Sequence, residues 1–188
     1  MHMIVKTSPL EGKIIGNVAT LAIRELPGIH MIDLRVAPGS SSQAAVAETL
    51  GISLTGKPGQ AEVSTGRYEV HTLCLAPDWW LIVGMQEVEQ KVAPLLMQDN
   101  YHFSVVDVSG QRTVIELEGP NVRGMLSHLL EVDLREKSFP VGGVSQSLMA
   151  KAPVIVYHIA AFRYHVMVRS SFALHLWKAM VDAAEEWM

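Results

Sequence analysis

The stretch VVDVSGQRTVIELEGPNVRGMLSHLLEVDL, residues 105–134, decides the fold. Two apolar runs rich in β-branched residues flank Ser109-Gly110 and read as strands. A break at Gly119-Pro120-Asn121 then changes the apolar spacing. Beyond it Val122, Met125, Leu126, Leu129 and Leu130 share one face of a helix that Pro120 starts in its first turn. The same order of strand, break and helix occurs about eighty residues earlier in HMIDLRVAPGSSSQAAVAETLGISL, residues 30–54. There Ile32, Leu34 and Val36 alternate as in a strand, and Pro38-Gly39 ends it. One of Ser40, Ser41 and Ser42 caps a helix striped by Ala45, Val46, Ala47 and Leu50, and Gly51 closes that helix. Each break is either a cradle for a ligand or a corner of the fold.

Working outward, KIIGNVATLAIREL suits short strands, and TGKPGQAEVSTGR reads as a loop with a short strand at its centre. YEVHTLCLAP and DWWLIVG form a hairpin about Pro77-Asp78. MQEVEQKVAPLLMQD places Val88, Val92, Leu95 and Leu96 at helical spacing, with Pro94 marking a kink or a broken end. In the second half SQSLMA, PVIVYHIA and FRYHVMVR read as strands. The last helix is capped by Ser170 or Ser171 and carries Leu174, Trp177, Met180, Val181 and Ala184 on one side. LRVAPGSSSQAAVAETLGISL lines up with IELEGPNVRGMLSHLLEVDL, and DWWLIVGMQEVEQKVAPLL with FRYHVMVRSSFALHLWKAM. The expected fold is therefore α+β: one compact domain over residues 1–188, made of two pseudo-symmetric β-α-β-β-α halves at about 1–98 and 99–188.

Bulk properties narrow the function. At 188 residues and 49% hydrophobic content the chain can bury a real core. Fifteen basic against nineteen acidic side chains, net −4, lack the positive field that nucleic-acid binding needs. No stretch approaches the roughly eighteen apolar residues of a membrane span, and the N-terminus has no signal-peptide core, so cytoplasm is the expected location. The one cysteine, Cys74, sits in an apolar run and reads as a buried, inert thiol of a reducing compartment. A mean hydropathy of +0.22 points to apolar surface covered by a partner.

Residues that could carry chemistry are sparse. The eight histidines show no zinc-site spacing, so no metal is expected, although His158 and His165 lie on adjacent strands and could meet. Asp107 and Arg112 could pair across the Ser109-Gly110 turn. Asp78 reads as a turn residue. There is no nucleophile elbow, dinucleotide fingerprint or phosphate loop, and Pro120 has no N–H to offer an anion. Trp79 and Trp80 point to opposite faces of a strand, so one packs in the core while the other covers a partner or a planar ligand. Catalytic and cofactor-binding residues are thus expected to be absent. Trp79, Trp80, Asp107 and Arg112 are the candidates for an interface or a vestigial ligand pocket.

Six motifs in order, SPLEG, LPGIHMIDLRVAPGS, LGISL, LAPDWWLIVG, VVDVSGQRTVIELEGPNVRGML and FRYHVMVRSSF, together resemble the gamma-subunit family of heterotetrameric sarcosine oxidases. Behind it, DVSGQRTVIELEGPNVRGMLSHLLEVDL is similar to the aminomethyltransferase folate-binding fold, itself two intertwined α/β halves. The resemblance implies a non-catalytic subunit of an enzyme that demethylates sarcosine oxidatively to glycine. The one-carbon unit leaves as formaldehyde or is passed to tetrahydrofolate, and oxygen becomes hydrogen peroxide. It also implies that FAD, FMN, NAD and tetrahydrofolate belong to partner subunits. The partners are alpha, beta and delta chains, with this chain packed on the folate-binding region of the large alpha chain. The chain departs from the aminomethyltransferases at SQSLMAKAPVIVYH, where Lys151-Ala152-Pro153 stands in place of the acidic residues of folate chemistry. A stand-alone folate-binding or one-carbon-transfer protein is the alternative.

Overall fold

The computed structural model describes residues 7–65 and 69–187. Residues 1–6, part of the N-terminus examined for a signal segment, and Tyr68, read as opening a strand, lie outside the described residues. Two units share the chain. One gathers the segment ending at Gly28, Gln111–Val141 and the segment from Gln146 on; the other comprises Ile29–Gly110 and Gly142–Ser145.

The second unit holds β3 (Met31–Val36), α1 (Ser41–Leu50), β4 (Gln60–Thr65), β5 (Glu69–Ala76), β6 (Trp79–Val83), α2 (Val88–Leu96) and β7 (Phe103–Asp107). Its five strands run in the order β4-β5-β6-β3-β7. The alternation read from the sequence sends Ile32, Leu34 and Val36 toward one face, where they pack with Val46, Leu50, Val88 and Val92 of the two helices. Ser40 caps α1 by accepting a bond from Gln43 N, and Gly51 closes it in the left-handed conformation, both as expected. Pro94 lies in the last turn of α2, which ends two residues later, so the broken end is the outcome.

The first unit holds β1 (Ile14–Asn17), β2 (Leu21–Leu26), β8 (Arg112–Glu118), α3 (Val122–Leu129), all but the first two residues of β9 (Val144–Met149), β10 (Ala152–Ala160), β11 (Arg163–Arg169) and α4 (Ala173–Ala184). Its six strands follow the order β1-β2-β8-β11-β10-β9. Ile115, Leu117, Val154, Val156, Val166 and Val168 point to one face and pack with Val122, Met125 and Leu126 of α3 and Leu176, Trp177 and Met180 of α4. The result is a mixed α and β protein on two sheets whose registered ladders are antiparallel. β2 immediately precedes β3 in the chain but pairs with β8, and β7 immediately precedes β8 but pairs with β3.

Three expectations are corrected. Pro120 stands before the helix, not in its first turn, because Asn121 is the N-cap of α3. Neither Ser170 nor Ser171 caps α4: both lie in a short 3-10 turn, Ser170–Phe172, and Phe172 takes the cap position without a side-chain bond. Leu174 is exposed, while Leu176 takes the buried place on α4, since the helix starts later than its serines suggest.

The Gly119 break is a corner. Gly119 N donates to Phe162 O at 2.9 Å, and Asn121 N donates to Thr20 O at 3.2 Å. Gly119 has φ +130°, and a Cβ there would lie 2.5 Å from Thr20 O. Only glycine fits that approach. The earlier break is also a corner, tied locally: Gly39 N donates to Gln43 Oε1 at 2.6 Å and Ser40 N to Ala37 O at 3.3 Å. At these corners Gly119 N, Asn121 N and Val122 N, and Gly39 N, Ser40 N and Gln43 N, all donate inside the fold. Gly119→Ala is expected to destabilise the chain by about 2–3 kcal/mol in chemical denaturation, from backbone strain plus the overlap with Thr20. A loss below about 0.5 kcal/mol would contradict the corner reading.

Candidate functional site

The tryptophan pair separates as alternation requires. Trp80 is 2% exposed and packs with Leu34, Cys74 and Ile82, so it is a core residue. Its Nε1 has no hydrogen-bond partner among the described residues. Trp79 is half-buried on the opposite face, where its Nε1 donates to Asp33 Oδ2 at 2.9 Å. The Arg35 guanidinium lies 4.0 Å above the Trp79 ring, and the same arginine faces Asp33 at 3.6 Å and Asp78 at 3.9 Å. Register explains the grouping, since Arg35 pairs directly with Trp79 and Asp33 is two residues along the same face. The arrangement is a half-exposed aromatic ring held flat by a cation and an acid. It suits packing against another surface better than proton transfer.

Asp107 ends β7, where its Oδ1 accepts from Ser109 N at 2.8 Å and its N–H donates to Glu89 Oε1 at 2.8 Å. It is a turn-forming residue, as an Asp before Ser-Gly should be. Arg112 opens β8 opposite Arg169. The candidates therefore fall in two units: Trp79, Trp80 and Asp107 in one, Arg112 in the other. His158 and His165 do not meet. Register sets His158 opposite Tyr164 and His165 opposite Tyr157, so the two rings occupy opposite faces of the sheet. His158 is buried, with Nδ1 3.0 Å from Phe139 O and its ring stacked 4.3 Å from Tyr164. Tyr164 in turn accepts from Arg123 Nε at 2.9 Å. No group of three His, Cys, Asp or Glu that could hold a metal occurs among the described residues. Cys74 is buried, and burial first, then Glu62, raises its thiol pKa.

Sequence reading missed the main ionic centre. The Glu116 side chain is fully buried on β8 and is bonded by Arg24 of β2, by Arg163 Nε of β11 at 2.7 Å and by His165 Nε2 at 2.9 Å. Burial alone would raise its pKa, but the bonds from His165, Arg163 and Arg24 hold it down to about 2. A base for proton transfer needs a pKa near the working pH. Glu116 is instead a permanently charged knot. A second buried acid, Glu25, accepts from Ser8, Thr113, Gly12 N and Leu10 N; burial pushes its pKa up, and these bonds bring it below the ordinary range. The run Ile115-Glu116-Leu117-Glu118 alternates like a strand with one wet face, so no local signal marks Glu116 as buried. Its partners lie 47, 49 and 92 residues away.

The profile described as sarcosine oxidase, gamma subunit family, matches residues 36–186. The chain belongs to the sarcosine oxidase gamma subunit family. Sarcosine oxidase subunit gamma of Corynebacterium sp. (strain P-1) is 29% identical over 89% of this chain and 82% of its own length. The Arthrobacter sp. subunit gamma is likewise 29% identical, over 89% and 81%. Among solved structures, a chain of the heterotetrameric sarcosine oxidase from Corynebacterium sp. U-96 in complex with pyrrole 2-carboxylate superposes with TM-score 0.82 at 25% identity, covering 96% of this chain and 95% of that one. The glycine cleavage system aminomethyltransferase T from Bartonella henselae shares the fold, with TM-score 0.65 at 13% identity over 94% of this chain and 57% of that one. No helix among the described residues is long and apolar enough to cross a membrane.

The Glu116 knot makes a pH prediction. A carboxylate whose pKa falls from 4.5 to about 2 on folding contributes stability that is complete above about pH 4.5 and is lost as pH falls toward 2. Glu116→Gln should cost about 2 kcal/mol at neutral pH, because it leaves the Arg24 and Arg163 charges without their shared counter-ion, and should flatten the acid limb of the stability curve. An acid limb that is unchanged in Glu116→Gln would assign the pH dependence elsewhere.

Proposed function

We propose that this chain is a non-catalytic gamma subunit of a sarcosine oxidase assembly, acting with alpha, beta and delta partners in the cytoplasm. The observation that carries the reading is the family match combined with superposition, over nearly its full length, on a chain from a heterotetrameric sarcosine oxidase. In this reading the partners hold FAD, FMN, NAD and tetrahydrofolate. The assembly demethylates sarcosine to glycine, with the one-carbon unit passed to tetrahydrofolate or released as formaldehyde and oxygen becoming hydrogen peroxide. This chain packs against the folate-binding region of the alpha subunit. Its own chemistry supports a structural role: Glu116 is locked as an ion, Gly119 N and Asn121 N are tied to neighbouring turns, and β9 and the Ala150-Lys151 turn that follows it carry no acidic side chain.

The fold itself we infer to be a duplication with exchanged leading strands. β3, α1, β4, β5, β6 and α2 would correspond to β8, α3, β9, β10, β11 and α4, and β7 to β2, which gives both sheets the same strand order. Three details support the pairing. Val36 N donates to Asp78 O at 3.1 Å as Gly119 N does to Phe162 O at 2.9 Å. Register shifts between Cys74 and Ala76 and between His158 and Ala160 precede the turns that close Ala76↔Trp79 and Ala160↔Arg163. Asp33 accepts from Trp79 at 2.9 Å as Glu116 accepts from Arg163 at 2.7 Å.

Trp79, with Arg35, is the proposed interface anchor, whereas Trp80 serves the core. Trp79→Ala should weaken capture of the co-expressed partners by about 2 kcal/mol, or roughly thirtyfold in affinity, without loss of fold by circular dichroism. Unchanged capture would return Trp79 to surface decoration. Isothermal titration of the lone chain with tetrahydrofolate should show no binding. Micromolar binding would favour a stand-alone folate protein instead.

A further inference from the structure

The two sheets have the same order of strands up to one place. Reading from the far edge, the first unit runs β9-β10-β11-β8-β2-β1 and the second β4-β5-β6-β3-β7. β2 occupies the position of β7, and its outer edge is covered by β1, whereas β7 ends its sheet among the described residues. We propose that the outer edge of β7, Phe103–Asp107, receives an extended segment of a partner subunit as a sixth strand. The proposal rests on the assembly reading above and adds the surface through which it acts.

The backbone of β7 is set for such pairing. Val108 N donates to Met31 O at 2.9 Å, so the antiparallel register of Asp33↔Val106 and Arg35↔Ser104 turns those residues inward to β3. The N–H and C=O groups of Phe103, Val105 and Asp107 then point out of the sheet. The Asp107 N–H is taken by Glu89 Oε1 at 2.8 Å, which leaves Phe103 and Val105 to present the edge. Proteins usually guard a free edge with lysine, proline or a bulge. FSVVD has no lysine or proline, and its ladder to β3 runs without a register shift.

Exposed apolar side chains occur at the end of α2, which precedes β7 in the chain, and on the opposite face of β7 itself. α2 lies along β7, its first turn at the Asp107 end through Glu89 and its last turn joined by the chain to Phe103. On that face Leu96 is 47% and Met97 86% exposed; on the other, Val106 is 48% exposed. A strand added beside β7 would lay alternate side chains against these two flanks, as strand-addition complexes do. The carboxylates of Asp107 and Glu89 gather at one end. The occupant expected is therefore an extended segment with alternating apolar residues and a lysine or arginine at the end that meets Asp107.

The test uses the full chain co-expressed with its partner subunits. Val105→Pro removes an outward N–H and leaves the β3 ladder intact, Val105→Ala controls for lost packing, and Val106→Lys charges one flank. Val63→Lys makes the same charge change on β4, the opposite edge of the sheet. Val105→Pro and Val106→Lys should weaken assembly at least tenfold, with Val105→Ala and Val63→Lys close to wild type. In the wild-type chain, hydrogen exchange over 103–107 should slow at least tenfold on assembly, a readout that needs no variant to fold. Wild-type assembly with unaffected Val105→Pro and unchanged exchange would overturn this strand site alone. Failure of the wild-type chain to assemble would remove the subunit reading with it. Exchange that slows with concentration in the isolated chain would assign the edge to a second copy and overturn the partner strand.

Discussion

The corner at Gly119 is the constraint on which the first unit depends. Three separate turns meet there through backbone bonds: the β1–β2 turn supplies Thr20 O, the β10–β11 turn supplies Phe162 O, and Gly119 and Asn121 donate to them. The approach to Thr20 is too close for any side chain at position 119, so one glycine fixes where β2 and β11 stand beside β8 and where α3 begins. Once that corner is set, Val122, Met125 and Leu126 fall over Ile115 and Leu117, and the core follows. The second unit uses a longer corner, Ala37 to Ser40, with Ser40 and Gln43 side chains doing the tying that backbone does at Gly119.

Polar groups in the first unit's sheet are arranged for rigidity. Glu116 and Glu25 sit on opposite faces, each accepting several donors, and both are held ionised below the ordinary carboxylate range. A site for proton transfer keeps one partner free to change state, and these acids have none to spare. The same logic explains why the sheet tolerates burial on both faces at β8 despite two glutamates in five residues.

Much of this was legible in the sequence, for identifiable reasons. Period-two alternation located β3, apolar runs bounded by turn signals located β5, β6, β10 and β11, and Ser40 and Gly51 marked both ends of α1, because those signals are local. The start of α4 was misplaced because the serines that look like caps form a 3-10 turn first, which exchanges Leu174 for Leu176 on the buried face. Whether His158 and His165 meet was open in the sequence, because it shows that two strands are neighbours but not their register, and a shift of one residue moves a side chain through the sheet. Glu116 escaped for a related reason: alternation next to apolar residues describes a strand with one wet face equally well as one buried on both. The separation of Trp79 from Trp80 was expected, and register with Arg35 decided which of them stays near the surface.

The central claim is that this chain exists to complete an assembly whose chemistry lies elsewhere. Native mass spectrometry of the tagged chain, purified gently from cells that encode it, tests that claim most directly. The account predicts one dominant species whose mass corresponds to this chain plus three different partner subunits, with flavin absorbance. A species consisting of this chain alone, as monomer or homo-oligomer, would contradict it.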